Sequence, residues 1–211
     1  MLTIITNCEV KHNNKLSMNQ IDISNLQPTS AMLDEALYWE IIDKSALNTS
    51  NQNDQEAYLI QIIEQLSPEQ MIGFNLRTDQ LLYKSYTSKM ALACYSLNDY
   101  LSDDTFEYFR LWVISLGKDT YNNVNTNPDA LLPYLNPISD YYDFEGLWYV
   151  AQKAFKNKTG KEIYDYIDYE QFKYSEVDYP DIDFSWETDH PESMKAIIPY
   201  LHEWYQKKHK E

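Results

Sequence analysis

Ser102, Asp103 and Asp104 are consecutive, and a hydroxyl beside two carboxylates offers oxygen ligands to a hard divalent cation. Two adjacent carboxylates are an incomplete ligand set, however, and the same residues also read as a helix start. Ser102 would be the N-cap, with both acids in the first turn, where the macrodipole favours negative charge. Arg110, one of only two arginines with Arg77, lies in an otherwise apolar stretch, where an unpaired charge is costly. A carboxylate partner is therefore expected. Glu107 at i−3 and Asp103 two turns back are the local candidates, and a partner from another helix serves equally well. The functional alternative is an anion-binding arginine in a cleft. His190 beside Asp189, and His202 near Glu203, are the best general-base candidates, because imidazole titrates near neutrality. Neither has a nucleophile or a metal-ligand companion nearby in sequence. The chain holds no Gly-x-Ser-x-Gly, no His-Glu-x-x-His, no phosphate-cradling glycine loop and no Cys-x-x-Cys. No residue is assigned a catalytic role, and no metal or cofactor is expected.

A different chemistry is concentrated further along. Residues 162–192 carry eleven acids against one lysine, Lys173, so that −10 of the chain's formal −16 falls in this segment. Aromatic residues from Tyr164 to Trp186 are interleaved with those charges. Rigid rings among like charges combine anchors with long-range steering, two ingredients of a binding surface. The residues expected to meet a partner are Tyr174, Asp178, Tyr179, Asp181, Asp183, Trp186 and Glu187. Two other readings stay open: a solvated loop whose rings pack back onto the helices, and a cation site on Asp181 and Asp183.

The balance of 33 acids against 17 basic residues opposes binding to nucleic acid or to an anionic membrane surface, and makes a basic protein the complementary partner. Cys8 and Cys94 have no metal-type spacing, which favours reduced thiols over a disulfide framework. Met1 to Thr6 carry neither a basic region nor a long apolar run, and no stretch of about 18 apolar residues occurs. A soluble, cytoplasmic protein is expected.

The elements that must position these residues are helical. With 44% hydrophobic residues in 211, the chain can bury one core, and four glycines are too few for a turn-rich sandwich or barrel. The expected fold is all-α, a helical bundle around a buried central helix, with residues 31–211 forming the domain and 1–30 an arm. Short β-branched runs at 2–10 and 15–23 are compatible with a small N-terminal hairpin. From Ala31 the apolar spacing becomes helical, entered through Thr29 or Ser30. A second helix carries Leu59, Ile60 and Ile63. Ser67-Pro68-Glu69-Gln70 is a capping-box start for a third, carrying residues as far as Tyr86. A fourth runs from about Lys89 to Leu97. The fifth follows Ser102 and is apolar nearly all the way round, with Phe106, Phe109 and Val113 on one face and Leu111, Trp112 and Ile114 on the other, so it is the buried centre. A short helix opens at Asn127-Pro128, a longer one spans about Phe144 to Lys158 before Gly160, and a last one begins near Pro191 and kinks at Pro199.

The run Ser-Asp-Asp-x-Phe-x-x-Phe-Arg-x-Trp-x-Ile-Ser-x-Gly-Lys from Ser102, followed by Asn127-Pro128-Asp129-Ala130-Leu131, resembles the bacterial DUF4240 family, whose function is unknown. Looser likeness extends over roughly residues 36–160, including Tyr38-Trp39-Glu40 and Leu66-Ser67-Pro68. Ser102, Asp103, Asp104, Phe109, Arg110 and Trp112 are the structural motif of this resemblance. The chain departs from the family pattern at Asp99-Tyr100-Leu101, where a Gly-Gly-Cys-like element is usual. The resemblance implies a helical fold and supplies no catalytic residues. Small acidic bacterial proteins of this kind are similar to immunity proteins that neutralise antibacterial toxins, which makes a cognate basic toxin the most concrete expected partner. An enzyme with a cleft near the central helix, or a regulatory module unrelated to toxins, is the alternative.

Overall fold

The computed structural model describes residues 20–136, 138–139 and 141–208, and among these the secondary structure is helical throughout. The α-helices are α1 (Glu35–Asn48), α2 (Gln52–Ile63), α3 (Pro68–Lys84), α4 (Ser88–Asn98), α5 (Asp103–Ser115), α6 (Lys118–Thr126), α7 (Gly146–Thr159), α8 (Pro191–Ile197) and α9 (Pro199–Lys208). Short 3₁₀ segments lie at Pro128–Tyr134, Ile163–Tyr166 and Glu176–Asp178. The only β feature among the described residues is one parallel bridge between Thr29 and Ile167. Most of the expected hairpin lies outside the described residues. Residues 20–33 run instead as a strap, with Ile21 N–H donating to Lys158 O at the end of α7 and Leu33 N–H donating to Gly73 O on α3. Gly73 permits that approach, since a Cβ there would stand 2.7 Å from the Leu33 nitrogen.

Most helices begin where a side chain accepts the orphan N–H groups of the first turn. Asp34, Asn51, Ser67, Thr87 and Ser102 each do so, and Ser67 with Gln70 completes a reciprocal capping box. The first helix thus starts at Asp34 rather than Thr29 or Ser30, because Thr29 is committed to the bridge. Two helices borrow a carboxylate from elsewhere. Asp43 on α1 accepts from Lys118 N–H at the start of α6 at 2.8 Å, and the buried Asp129 accepts from Tyr200 and Leu201 N–H at the start of α9 at 3.3 and 2.8 Å. Asp129 belongs to the sequence motif, and capping α9 is its structural role. At the end of α4, Asp99 holds φ at 59°, a conformation that favours glycine.

α5 is the buried centre: Phe106, Phe109, Leu111, Val113 and Ile114 are all almost fully enclosed, and it packs on α1, α3, α4, α6 and α7. α7 lies across α2 and α3, and α9 closes the other side against α4 and the Pro128–Tyr134 turn. Among the described residues no helix is long and apolar enough to cross a membrane.

Candidate functional site

The Ser102 cap fixes the rotation of α5, and that rotation puts Asp103, Glu107 and Arg110 on one face at i, i+4 and i+7. Asp103 and Asp104 are exposed, Glu107 is half-buried and Arg110 is 1% exposed. The expected carboxylate partner for Arg110 is absent: its guanidinium forms no ion pair among the described residues. It donates from Nε to Phe106 O at 3.1 Å, and from Nη1 to Leu82 O at 2.6 Å and to the Tyr179 hydroxyl at 3.3 Å. The rings of Phe106, Tyr86 and Tyr179 lie over it at 4.5, 5.0 and 5.0 Å. Backbone dipoles and π faces therefore replace the carboxylate, which works because guanidinium is weakly hydrated and stacks well.

Tyr179 comes from the acidic segment, and its engagement with Arg110 corrects the expected orientation of that segment's rings. Tyr179 stacks on Tyr86 at 4.5 Å between centroids. Tyr174 meets Tyr83 edge-on at 5.3 Å. Trp186 is buried, with Nε1–H donating to Ser88 O at 2.9 Å and its ring 5.6 Å from Tyr95. These three side chains are the pins that fasten the segment to α3, α4 and α5, so none is a free anchor for a partner. The acids point elsewhere. Asp181, Asp183 and Glu187 are exposed, whereas Asp178 accepts from Ser175 N–H and Oγ–H and caps its own turn. Lys173 forms no ion pair among the described residues.

Two clefts flank this segment and share Glu176 and Tyr179 as a wall. The first, of about 440 Å³, has Arg110 and Tyr86 inside and Asp103, Asp104, Glu107, Asp181 and Phe184 around it. The second, of about 500 Å³, is lined by Asn75 and Asp79 of α3, Trp148 of α7, and Tyr164, Tyr169, Tyr174 and Lys173. Each cleft contains a carboxyl whose proton is hard to remove. Burial, then the nearby Glu176, pushes Glu107 up to about 7 despite the opposing pull of Arg110. Burial, then Glu107 and Glu176, pushes Asp79 up to about 8. The formal charge therefore overstates the negative potential of the clefts near neutrality.

The histidines fall outside this constellation. His190 is exposed and paired with Glu187, with Asp189 at 3.6 Å, and its pKa is raised, chiefly by the Glu187 hydrogen bond. Glu187, Asp189 and His190 are the only converging set of potential metal ligands among the described residues. His202 is buried on α9 and lines neither cleft. Cys94 is a free thiol buried in α4, and Cys8 lies outside the described residues. Sequence reasoning missed Asp79 and Glu107 as site residues in their own right. Glu107 carried a signal as the neighbour of Arg110, and Asp79 carried none.

Comparison with curated proteins and with solved structures returns no match. A family model described as "Protein of unknown function (DUF4240)" matches residues 33–157. That span runs from before α1 nearly to the end of α7, so it supplies the α3, α5 and α7 walls of both clefts, while the facing segment lies beyond the matched residues. With more than half of its length matched, the chain belongs to the DUF4240 family.

Proposed function

We infer that the protein is an acidic cytoplasmic binding module that docks a basic protein, most concretely as an immunity protein that neutralises an antibacterial toxin by stoichiometric binding. One observation carries this reading: Asp103, Asp104 and Asp181 are exposed around one cleft, Asp183 is exposed two residues on, and no lysine pairs with any of them among the described residues. The pinned rings behind them keep the segment ordered before a partner arrives, which reduces the entropy lost on docking. Charge of one sign on a preformed surface raises association rates by roughly 10-fold to 1000-fold and makes them salt-sensitive. The test is an Asp181→Lys/Asp183→Lys double variant, measured by stopped flow at low salt against the basic protein encoded beside or captured with this chain. Asp178 is left intact because its reversal would break the turn it caps. Association is expected to slow about tenfold or more with dissociation little changed. Equal association rates for wild type and variant would dismiss the docking face.

A second reading is favoured by one specific observation, the convergence of Glu107 and Arg110 in a single cleft with Asp103 and Asp104. A carboxyl titrating near 7 beside a fixed cation suits general acid–base chemistry in a hydrolase or transferase. The two readings separate on Glu107→Gln. As an enzyme, the protein would lose any turnover it shows by about 100-fold or more with this change. As a docking module, it would capture its partner with association unchanged.

A further inference from the structure

The second cleft has a composition that the docking face does not explain. Five aromatic residues, Trp148, Tyr164, Tyr169, Tyr174 and Tyr179, line it, contributed by α7, the Ile163–Tyr166 turn and the acidic segment. Its floor holds the Asp79 carboxylate, which accepts one hydrogen bond, from Asn75 Nδ2 at 3.1 Å, and forms no ion pair among the described residues. A carboxyl withdrawn from water with a single neutral partner keeps its proton, and it can ionise there only when a cation enters beside it. Rings around it offer the same sign of attraction, since the negative face of an aromatic ring draws cations. Glu176 and Asp178 outnumber Lys173 in the lining, which disfavours anions, and a neutral apolar ligand would leave the Asp79 carboxyl unpaired. The volume of about 500 Å³ is that of a small-molecule site and exceeds what one lysine side chain fills.

We propose that this cleft binds a small organic cation carrying an alkylammonium group, held between the tyrosine and tryptophan faces with its charge on Asp79. The site is separate from the acidic docking face and does not depend on it. The groups near Asp79 are Asn75 on its own helix, Tyr38 of α1, Glu107 of α5, Glu176 and Asp178 of the 3₁₀ turn, Lys173, and the hydroxyls of Tyr164, Tyr169 and Tyr179. Because burial and the two glutamates keep Asp79 protonated near neutrality, entry of an ammonium ion displaces that proton to solvent while the ligand keeps its charge.

The experiment is calorimetric titration of the full chain with cadaverine and with its uncharged diol analogue, at neutral pH and physiological salt, in buffers of different ionisation enthalpy. One-to-one binding of cadaverine with release of close to one proton is expected, and no binding of the diol. Asp79→Asn is expected to weaken binding about tenfold or more and to abolish proton release, with no loss of melting temperature, because the new amide can still accept from Asn75. Tyr169→Leu, at an exposed position that keeps apolar bulk, is expected to weaken binding several-fold through loss of the π face. Glu107→Gln should reduce proton release without abolishing it, because burial, the larger cause of Asp79's protonation, remains, whereas Asp79→Asn abolishes it. The proposal is overturned if cadaverine does not bind, if the diol binds equally, or if Asp79→Asn binds as wild type does. It is also overturned if binding is lost in Asp181→Asn/Asp183→Asn and kept in Asp79→Asn, since the cation would then be a diffuse counterion. Binding of a lysine peptide where cadaverine fails would assign the cleft to a protein side chain and overturn the small-molecule assignment.

Discussion

Arg110→Ala is expected to lower stability by about 3–4 kcal/mol and the melting temperature by roughly 10 °C, and to loosen the acidic segment selectively. Three losses combine. Truncation leaves a void under Phe106, Tyr86 and Tyr179, removes the cation that attracts all three rings, and strips the Leu82 carbonyl and the Tyr179 hydroxyl of a donor. The third loss matters most for the segment, because Tyr179 is held to the helices through Arg110 and the Tyr86 stack. Hydrogen exchange should therefore rise around Tyr174 to Phe184 well before α5 itself opens. Arg110→Lys cannot reproduce a planar fork that bonds two carbonyls and a hydroxyl while lying under rings, so it should recover little. Arg110→Met restores volume without charge, and its recovery measures packing alone. If the methionine variant melts with the wild type, the cation contributes nothing and its burial is only tolerated. The alanine change also acts on the neighbouring acid: Arg110 pulls the Glu107 pKa down, so without it Glu107 should hold its proton to a higher pH.

How much of this was legible in the sequence depends on how local the determining contact is. Ser67, Ser102 and Gly160 act within one turn of their own helices, and each does in the structure what its spacing indicates. The burial of α5 was equally readable, since a helix that is apolar nearly all round has no face to give to water. α6 was not readable. Of its nine residues only Tyr121 and Val124 are large and apolar, and its N-terminus is capped by Asp43 from another helix. Arg110 shows the same limit from the other side: the cost of burying it was evident, but the compensation arrives from Leu82 and Tyr179, one of them 69 residues away. In the acidic segment the sequence displayed both charge and rings without their directions. No periodicity exists there to sort them, and the structure turns Tyr174, Tyr179 and Trp186 inward while leaving Asp181 and Asp183 outside. Asp79 was invisible because, within α3, it reads as an ordinary solvated helix residue. What encloses it is the later turn and segment around Tyr164 to Tyr179.

That enclosure gives Asp79→Asn a pH-dependent effect whose sign is fixed. The folded carboxyl titrates at about 8 against 3.8 for an unhindered one, so between about pH 4 and pH 8 the folded protein keeps a proton that the unfolded chain has lost. Stability must then fall as pH rises through this window and level off above it. At about 1.4 kcal/mol per unit the ceiling on this loss is about 5–6 kcal/mol, and partial access of water through the cleft brings the expected value nearer 2–3 kcal/mol. Asparagine removes the titration while keeping the hydrogen bond with Asn75. The variant should match wild type near pH 4 and be more stable by that amount at pH 8, and thermal melts across the range give the difference curve directly. Glu107, raised to about 7, adds a smaller loss of the same sign, centred lower, which is present in both proteins and so largely cancels in the difference curve. A difference curve that is flat with pH would mean that Asp79 is ionised and solvated in the folded state. A rising curve would identify a residue whose charge the fold pays to suppress, in a cleft whose aromatic walls reduce that cost only when a cation enters.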